Sequence, residues 1–172
     1  MAEAEPAIDL DGLVDLARRI QERMVVRGLR LATAESCTGG LVGHAITEVA
    51  GSSDYYVGGI ISYSNALKHA ELGVDDTTLE RHGAVSAQTA VAMAQGARQR
   101  YGADVAVAVT GIAGPSGGTD SKPVGLTYVA LADADGDEVR RYVWDADRHA
   151  NKLSSARAAL TIVLEHLDAP RG

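Results

Sequence analysis

Apolar residues at Leu10, Leu13, Val14, Ala17, Ile20 and Met24 recur every three to four positions, the spacing that lines one face of a helix. Asp9 or Asp11 can cap its start, and Gly28 stands where a helix ends on a left-handed glycine. The period then changes. Leu29 to Ala34 reads as a strand, and Glu35-Ser36-Cys37-Thr38-Gly39-Gly40 breaks the apolar run with polar, small and nucleophilic residues. Helical spacing resumes through Leu41, Val42, Ala45, Ile46 and Val49, which predicts a helix over about 38–50, ended by Gly51-Ser52-Ser53-Asp54. A strand that turns tightly into a helix N-terminus presents a side chain and bare backbone N–H groups at a sheet edge.

The same reading continues down the chain. Tyr56 to Tyr63 is a strand whose Gly58 and Gly59 suggest close approach of another backbone or a ligand. Ser64 can cap a short helix that carries Lys68 and ends near Gly73; Asp75 to His82 forms another. Val85-Ser86 begins a helix running through Ala90, Val91, Met93, Ala94 and Ala97 to Tyr101. Asp104 to Thr110 is a continuous apolar strand, buried on both faces. A Gly/Pro/Ser loop over 111–123 leads to strands at Val124–Ala132 and Glu138–Trp144, joined as a hairpin through Asp133-Ala134-Asp135-Gly136-Asp137. A last helix, His149 to Leu167, buries Leu153, Ala156, Leu160, Val163 and Leu164.

The βαβαβ portion implies parallel strands with right-handed crossovers, and the hairpin adds antiparallel ones. The expected fold is therefore a three-layer α/β/α domain with a mixed, largely parallel sheet and a closing β-hairpin, one domain over 9–168 after a flexible tail at 1–8. Ligands in such sheets gather beyond the carboxyl ends of the strands. Residues 35–40, 63–68 and 110–118 fall there.

Composition narrows this picture. There is no Phe and one Trp, so the core must be aliphatic. A net charge of −7 argues against nucleic-acid binding, which draws on dense Lys and Arg. Cys37 is the only cysteine, so no internal disulfide can form and a cytoplasmic setting is expected. The acidic start, Met1 to Pro6, lacks the layout of a signal peptide, and no apolar run is long enough to predict a membrane span.

Ser36 is the candidate nucleophile, although a serine at a helix start ordinarily serves as a cap. None of the five histidines is placed to be its base: His44 lies within a helix, His69 faces away from its neighbour Lys68, and His82, His149 and His166 read as surface residues. Lys68, just past another strand's end, can take that part if it is held neutral. Half-neutrality near pH 7.5 costs about 4 kcal/mol against a lysine's ordinary pKa, a price that burial can exact. Thr38, Gly39 and Gly40 offer N–H groups to an oxyanion. Thr110, Gly111, Ala113, Gly114 and Gly118 lie on a loop able to wrap a phosphate, although it matches neither the GxxxxGK[ST] nor the GxGxxG pattern. Asp145-Ala146-Asp147-Arg148-His149 fits no metal-ligand spacing, and no metal or cofactor is expected.

Taken together, the segments Ala34–Gly40, Gly58–Asn65 with Lys68, His82–Ser86, Val109–Pro115 with Gly118-Thr119, and Lys122–Gly125 resemble the CinA C-terminal domain family, the PncC-type nicotinamide-nucleotide amidohydrolases. The resemblance spans roughly residues 30–130. It implies hydrolysis of the carboxamide of nicotinamide mononucleotide (NMN) to nicotinic acid mononucleotide and ammonia by a Ser/Lys mechanism. Carried over by motif, Ser36 is the nucleophile, Lys68 the base and Tyr63 the supporting tyrosine, set between the two or orienting the lysine. The family's late Gly-Asp-Arg motif reads Ala146-Asp147-Arg148 here, which leaves Arg148 unassigned. Two other readings stand beside this one: Cys37 as the nucleophile, and a nucleotide-binding accessory domain without turnover. The expected partner is a small pyridine nucleotide. No nucleic acid or membrane is expected, and a homodimer is the expected assembly.

Overall fold

A computed structural model describes residues 8–170. Its elements run α1 (Leu10–Arg27), β1 (Leu31–Glu35), α2 (Leu41–Thr47), a 3-10 turn (Ser52–Asp54), β2 (Tyr56–Ile61), α3 (Asn65–Leu72), α4 (Asp76–His82), α5 (Ala87–Tyr101), β3 (Val105–Gly111), β4 (Leu126–Ala132), β5 (Asp137–Val143) and α6 (Arg148–Asp168). The five strands form one sheet in the order β2-β1-β3-β4-β5. β1 pairs parallel with β2 and β3, and β3–β4 and β4–β5 pair antiparallel, so the expected mixed α/β sheet has equal numbers of the two pairings.

Period-two alternation divides the core. In β3, Val105, Val107 and Val109 join one cluster with α1, α2 and α6, whereas Ala106 and Ala108 join another with α5. The alanine face lets α5 approach closely through Ala90, Ala94 and Ala97. The two crossovers lie on opposite faces. α2 carries the chain from β1 outward to β2, and α3–α5 carry it back past β1 to β3; right-handed connections running in opposite directions must use opposite sides of the sheet.

Several boundaries are tighter than the apolar pattern suggests. β1 begins at Leu31 because the Leu29 N–H returns to Met24 O, closing α1, and the Arg30 N–H goes to the Asp104 carboxylate. β2 stops at Ile61, where Ser62 N–H bonds Glu35 O at 2.8 Å and the chain turns toward α3. α2 is shorter than expected at both ends, beginning only after Gly39 and Gly40 at φ 63° and 101°. The expected tail at 1–8 falls outside the described residues except for Ile8, which packs against the core. No described helix is long and apolar enough to cross a membrane.

Candidate active site

At the carboxyl end of the parallel strands, β1 delivers Ser36 and the chain after β2 delivers Lys68. Ser36 is fixed by its N–H, which bonds Val109 O on β3 at 3.0 Å. Lys68 lies on the first turns of α3, whose start Ser64 caps through the Leu67 N–H. Its side chain is 1% exposed. The ammonium nitrogen lies 3.1 Å from Ser36 Oγ, 2.6 Å from Ser62 O and 3.5 Å from Tyr63 O. Burial lowers its pKa from 10.5 to about 8.

Close backbone approach makes this geometry possible. A Cβ at Gly59 would fall on Thr33 of the adjacent strand, and one at Gly111 would meet Thr127 Oγ1 and Leu126 O. Glycine at these places lets β2 close on β1 and the end of β3 close on β4.

Ser36 and Lys68 share a pocket of about 330 Å³ with Tyr63, Val85, Ile112 and Arg148. That is the lower end of the range for small-ligand sites. Two larger clefts, at the other end of the sheet and behind the Thr38–Gly40 turn, contain neither Ser36 nor Lys68.

Tyr63 takes a different place from the one its motif suggests. Its ring is exposed, and its phenolic oxygen accepts a bond from Arg148 Nη2 at 3.3 Å; only its backbone carbonyl reaches Lys68. The oxyanion donors also need correction. Thr38 Oγ1 and the Gly40 N–H donate to Glu35 Oε2 at 2.6 and 3.0 Å, and the Gly39 N–H bonds Ser36 O at 3.1 Å. Thr38, Gly39 and Gly40 line the cleft behind the pocket, not the pocket itself. Cys37 lines the pocket, and its N–H has no backbone or side-chain acceptor among the described residues. Apolar burial, with the Glu35 charge adding to it, pushes the Cys37 thiol up to about 12, which leaves it protonated and unreactive at neutral pH.

Of the loop residues, Thr110, Gly111, Ala113 and Gly114 line the pocket. The Thr110 hydroxyl donates to Ala84 O at 2.7 Å and ties β3 to the segment before α5. Gly118 lies outside, packed under Val124. Ser116 and Gly117, which the sequence did not single out, take its place in the lining. The N–H groups of Ala113, Gly114, Ser116 and Gly117 find no protein acceptor among the described residues. Arg148 was also missed as a site residue. It donates from Nη1 to Gly114 O at 2.7 Å, joining the start of α6 to the loop. The Asp147-Arg148 pair at a helix start was the available signal: Asp147 caps α6 through the Ala150 N–H, which fixes where Arg148 leaves the helix. No group of three or more His, Cys, Asp or Glu among the described residues could hold a metal.

The fold and the site thus define an α/β domain with a buried Ser–Lys pair at the carboxyl rim of its sheet. The sequence profile of the CinA C-terminal domain matches residues 13–167, and the chain belongs to that family. It is 49% identical over 160 residues to a CinA-like protein of Geobacter sulfurreducens, covering 93% of this chain and 37% of that one. A CinA-like protein of Salinibacter ruber is 48% identical over 149 residues, covering 87% of this chain and 36% of that one. The chain therefore spans little more than a third of these relatives. Among solved structures, the competence/damage inducible protein CihA from Agrobacterium tumefaciens superposes with a TM-score of 0.85 at 46% identity, covering 91% of this chain and 96% of that one. The competence damage-inducible protein A (ComA) of Klebsiella pneumoniae does so with a TM-score of 0.89 at 33% identity, covering 92% and 99%.

Proposed function

We propose that this chain hydrolyses the carboxamide of a pyridine nucleotide, NMN, releasing ammonia and nicotinic acid mononucleotide. The observation that carries the reading is the 3.1 Å contact between Lys68 Nζ and Ser36 Oγ, with the lysine buried and its pKa lowered to about 8. A neutral Lys68 can use its two N–H bonds to face Ser62 O and Tyr63 O, which turns its lone pair toward Ser36.

In the first step Ser36 Oγ attacks the carboxamide carbon and Lys68 takes the hydroxyl proton. The oxyanion that develops meets the Cys37 N–H, the amide that follows the nucleophile. Lys68 then returns the proton to the amide nitrogen, the C–N bond breaks and ammonia leaves. Water, deprotonated by Lys68, attacks the Ser36 ester; the acid departs and the serine regains its proton. For the nucleotide's phosphate the pocket offers unpaired N–H groups on the 113–117 loop and the Arg148 guanidinium.

Ammonia release from NMN, followed by a coupled dehydrogenase assay, tests the reading. The wild-type chain is expected to turn over, and Ser36→Ala to lose activity with its circular dichroism unchanged. Tight NMN binding without ammonia release would instead make this a nucleotide-binding domain.

A further inference from the structure

Glu35 has no part in the reaction just described, yet it is the residue before the nucleophile and is 2% exposed. A buried carboxylate is expensive unless donors surround it. Its Oε2 accepts bonds from Thr38 Oγ1 at 2.6 Å, Gly40 N at 3.0 Å and Val42 N at 3.1 Å, and its Oε1 accepts one from Gly43 N at 2.9 Å. These donors are spread over the turn that leaves Ser36 and the first turn of α2. The carboxylate is therefore a pin holding the nucleophile's own turn. The backbone of the same residue reaches the other half of the pair. Glu35 O accepts the Ser62 N–H at 2.8 Å, and Ser62 O in turn holds Lys68 Nζ at 2.6 Å.

We propose that Glu35 is the positioning residue of the Ser–Lys pair: its carboxylate sets the angle at which Ser36 faces the pocket, while its carbonyl fixes the strand end that presents Lys68. Helix capping alone needs one acceptor at the helix start. Here three of the four bonds converge on one oxygen, and two of those three come from Thr38 and Gly40, between the nucleophile and the helix. Glu35→Gln keeps the shape of the side chain but turns an NH2 group toward N–H donors. The turn must relax, and a displacement of about 1 Å at a reacting group costs roughly 100-fold in rate.

The inference rests on the amidohydrolase reading for its substrate but not for its test, which uses two readouts on the whole chain. One is ammonia release from NMN. The other is the rate at which a fluorophosphonate labels Ser36, located by mass spectrometry; there Ser36 Oγ bonds phosphorus, fluoride leaves and Lys68 takes the proton. For folded Glu35→Gln, kcat is expected to fall about 100-fold with KM within twofold, and labelling to slow by a similar factor. A variant that keeps kcat and labelling within threefold, whatever its thermal midpoint, overturns the proposal and leaves the amidohydrolase reading intact. Should Glu35→Gln fail to fold, Thr38→Val removes one bond of the four and is expected to slow labelling about tenfold; wild-type labelling there overturns the proposal. If wild type is labelled at Ser36 but releases no ammonia from NMN, the substrate reading fails and the labelling comparison still decides the role of Glu35. If wild type is neither labelled nor active, both fail.

Discussion

Replacing Lys68 with Met should abolish activity and, at neutral pH, stabilise the fold. Lys68 is 1% exposed, and burial lowers its pKa from 10.5 to about 8. Each tenfold change in a protonation equilibrium is worth about 1.4 kcal/mol, so the drop corresponds to about 3 kcal/mol. The sign follows from the proton count. Between pH 8 and 10.5 the unfolded chain keeps this proton and the folded chain has released it, so stability from this group rises with pH across that window. It is fully present above 10.5 and is lost as the pH falls through about 8. Methionine fills a similar volume and has nothing to titrate. Its cost is constant with pH: Ser62 O and Tyr63 O lose their donor, worth about 1–2 kcal/mol for a buried acceptor. Lys68→Met should thus be about 1–2 kcal/mol more stable than wild type at pH 7 and less stable by a similar amount near pH 10.5. Urea unfolding of both proteins at half-unit pH steps measures this directly, since the titration of groups not coupled to Lys68 cancels in the difference. Parallel stability curves, with a gap that does not change between pH 7 and 10.5, would refute a buried lysine of lowered pKa and with it the base assignment.

The same pKa predicts that kcat/KM for NMN rises with pH through a midpoint near 8 and levels above it, because the neutral amine is the active form; a flat profile between pH 7 and 9 contradicts it. Iodoacetamide at neutral pH should leave ammonia release unchanged and Cys37 unmodified, since the thiol is buried and its pKa is pushed up to about 12; rapid alkylation with loss of turnover would move the nucleophile to Cys37. Arg148→Met should raise KM for NMN by roughly 10–100-fold, the worth of one charge-assisted hydrogen bond, while Tyr63→Phe, which removes only an exposed hydroxyl 3.3 Å from that arginine, should change kcat less than threefold. A 100-fold loss of kcat in Tyr63→Phe would put the phenol back in the proton path.

The elements and the rim were legible because they follow from period and punctuation. Val105, Val107 and Val109 alternate with Ala106 and Ala108, Gly28 and Gly73 close helices in the left-handed conformation, and three interrupted strand ends must share one edge of the sheet. What stayed hidden was direction. A side chain's orientation depends on partners far away in sequence, so the strand-end position of Tyr63 could not show that its hydroxyl turns toward Arg148, 85 residues on. The Thr38–Gly40 amides looked free because the competing acceptor, Glu35, reads in sequence as one more polar residue of a turn. Arg148 was obscured by a motif lacking its glycine, although the Asp147 cap that aims it is intact.

The orientation of Glu35 also bears on how a lysine can serve as a base at all. An acid facing Lys68 would form an ion pair, hold the amine charged and defeat the chemistry. The sequence places a carboxylate next to the nucleophile, within one residue of where such a pair would form. The fold turns it away: its charge is spread over four donors on the α2 side, and it adds to the upward shift of Cys37 and Tyr56. What faces the amine instead is a pair of backbone carbonyls, which orient it without adding a full negative charge. One carboxylate, by pointing away from the lysine, thus contributes to two conditions at once. It adds to the burial that keeps the thiol beside Ser36 protonated, and it leaves Lys68 in surroundings where burial sets the pKa.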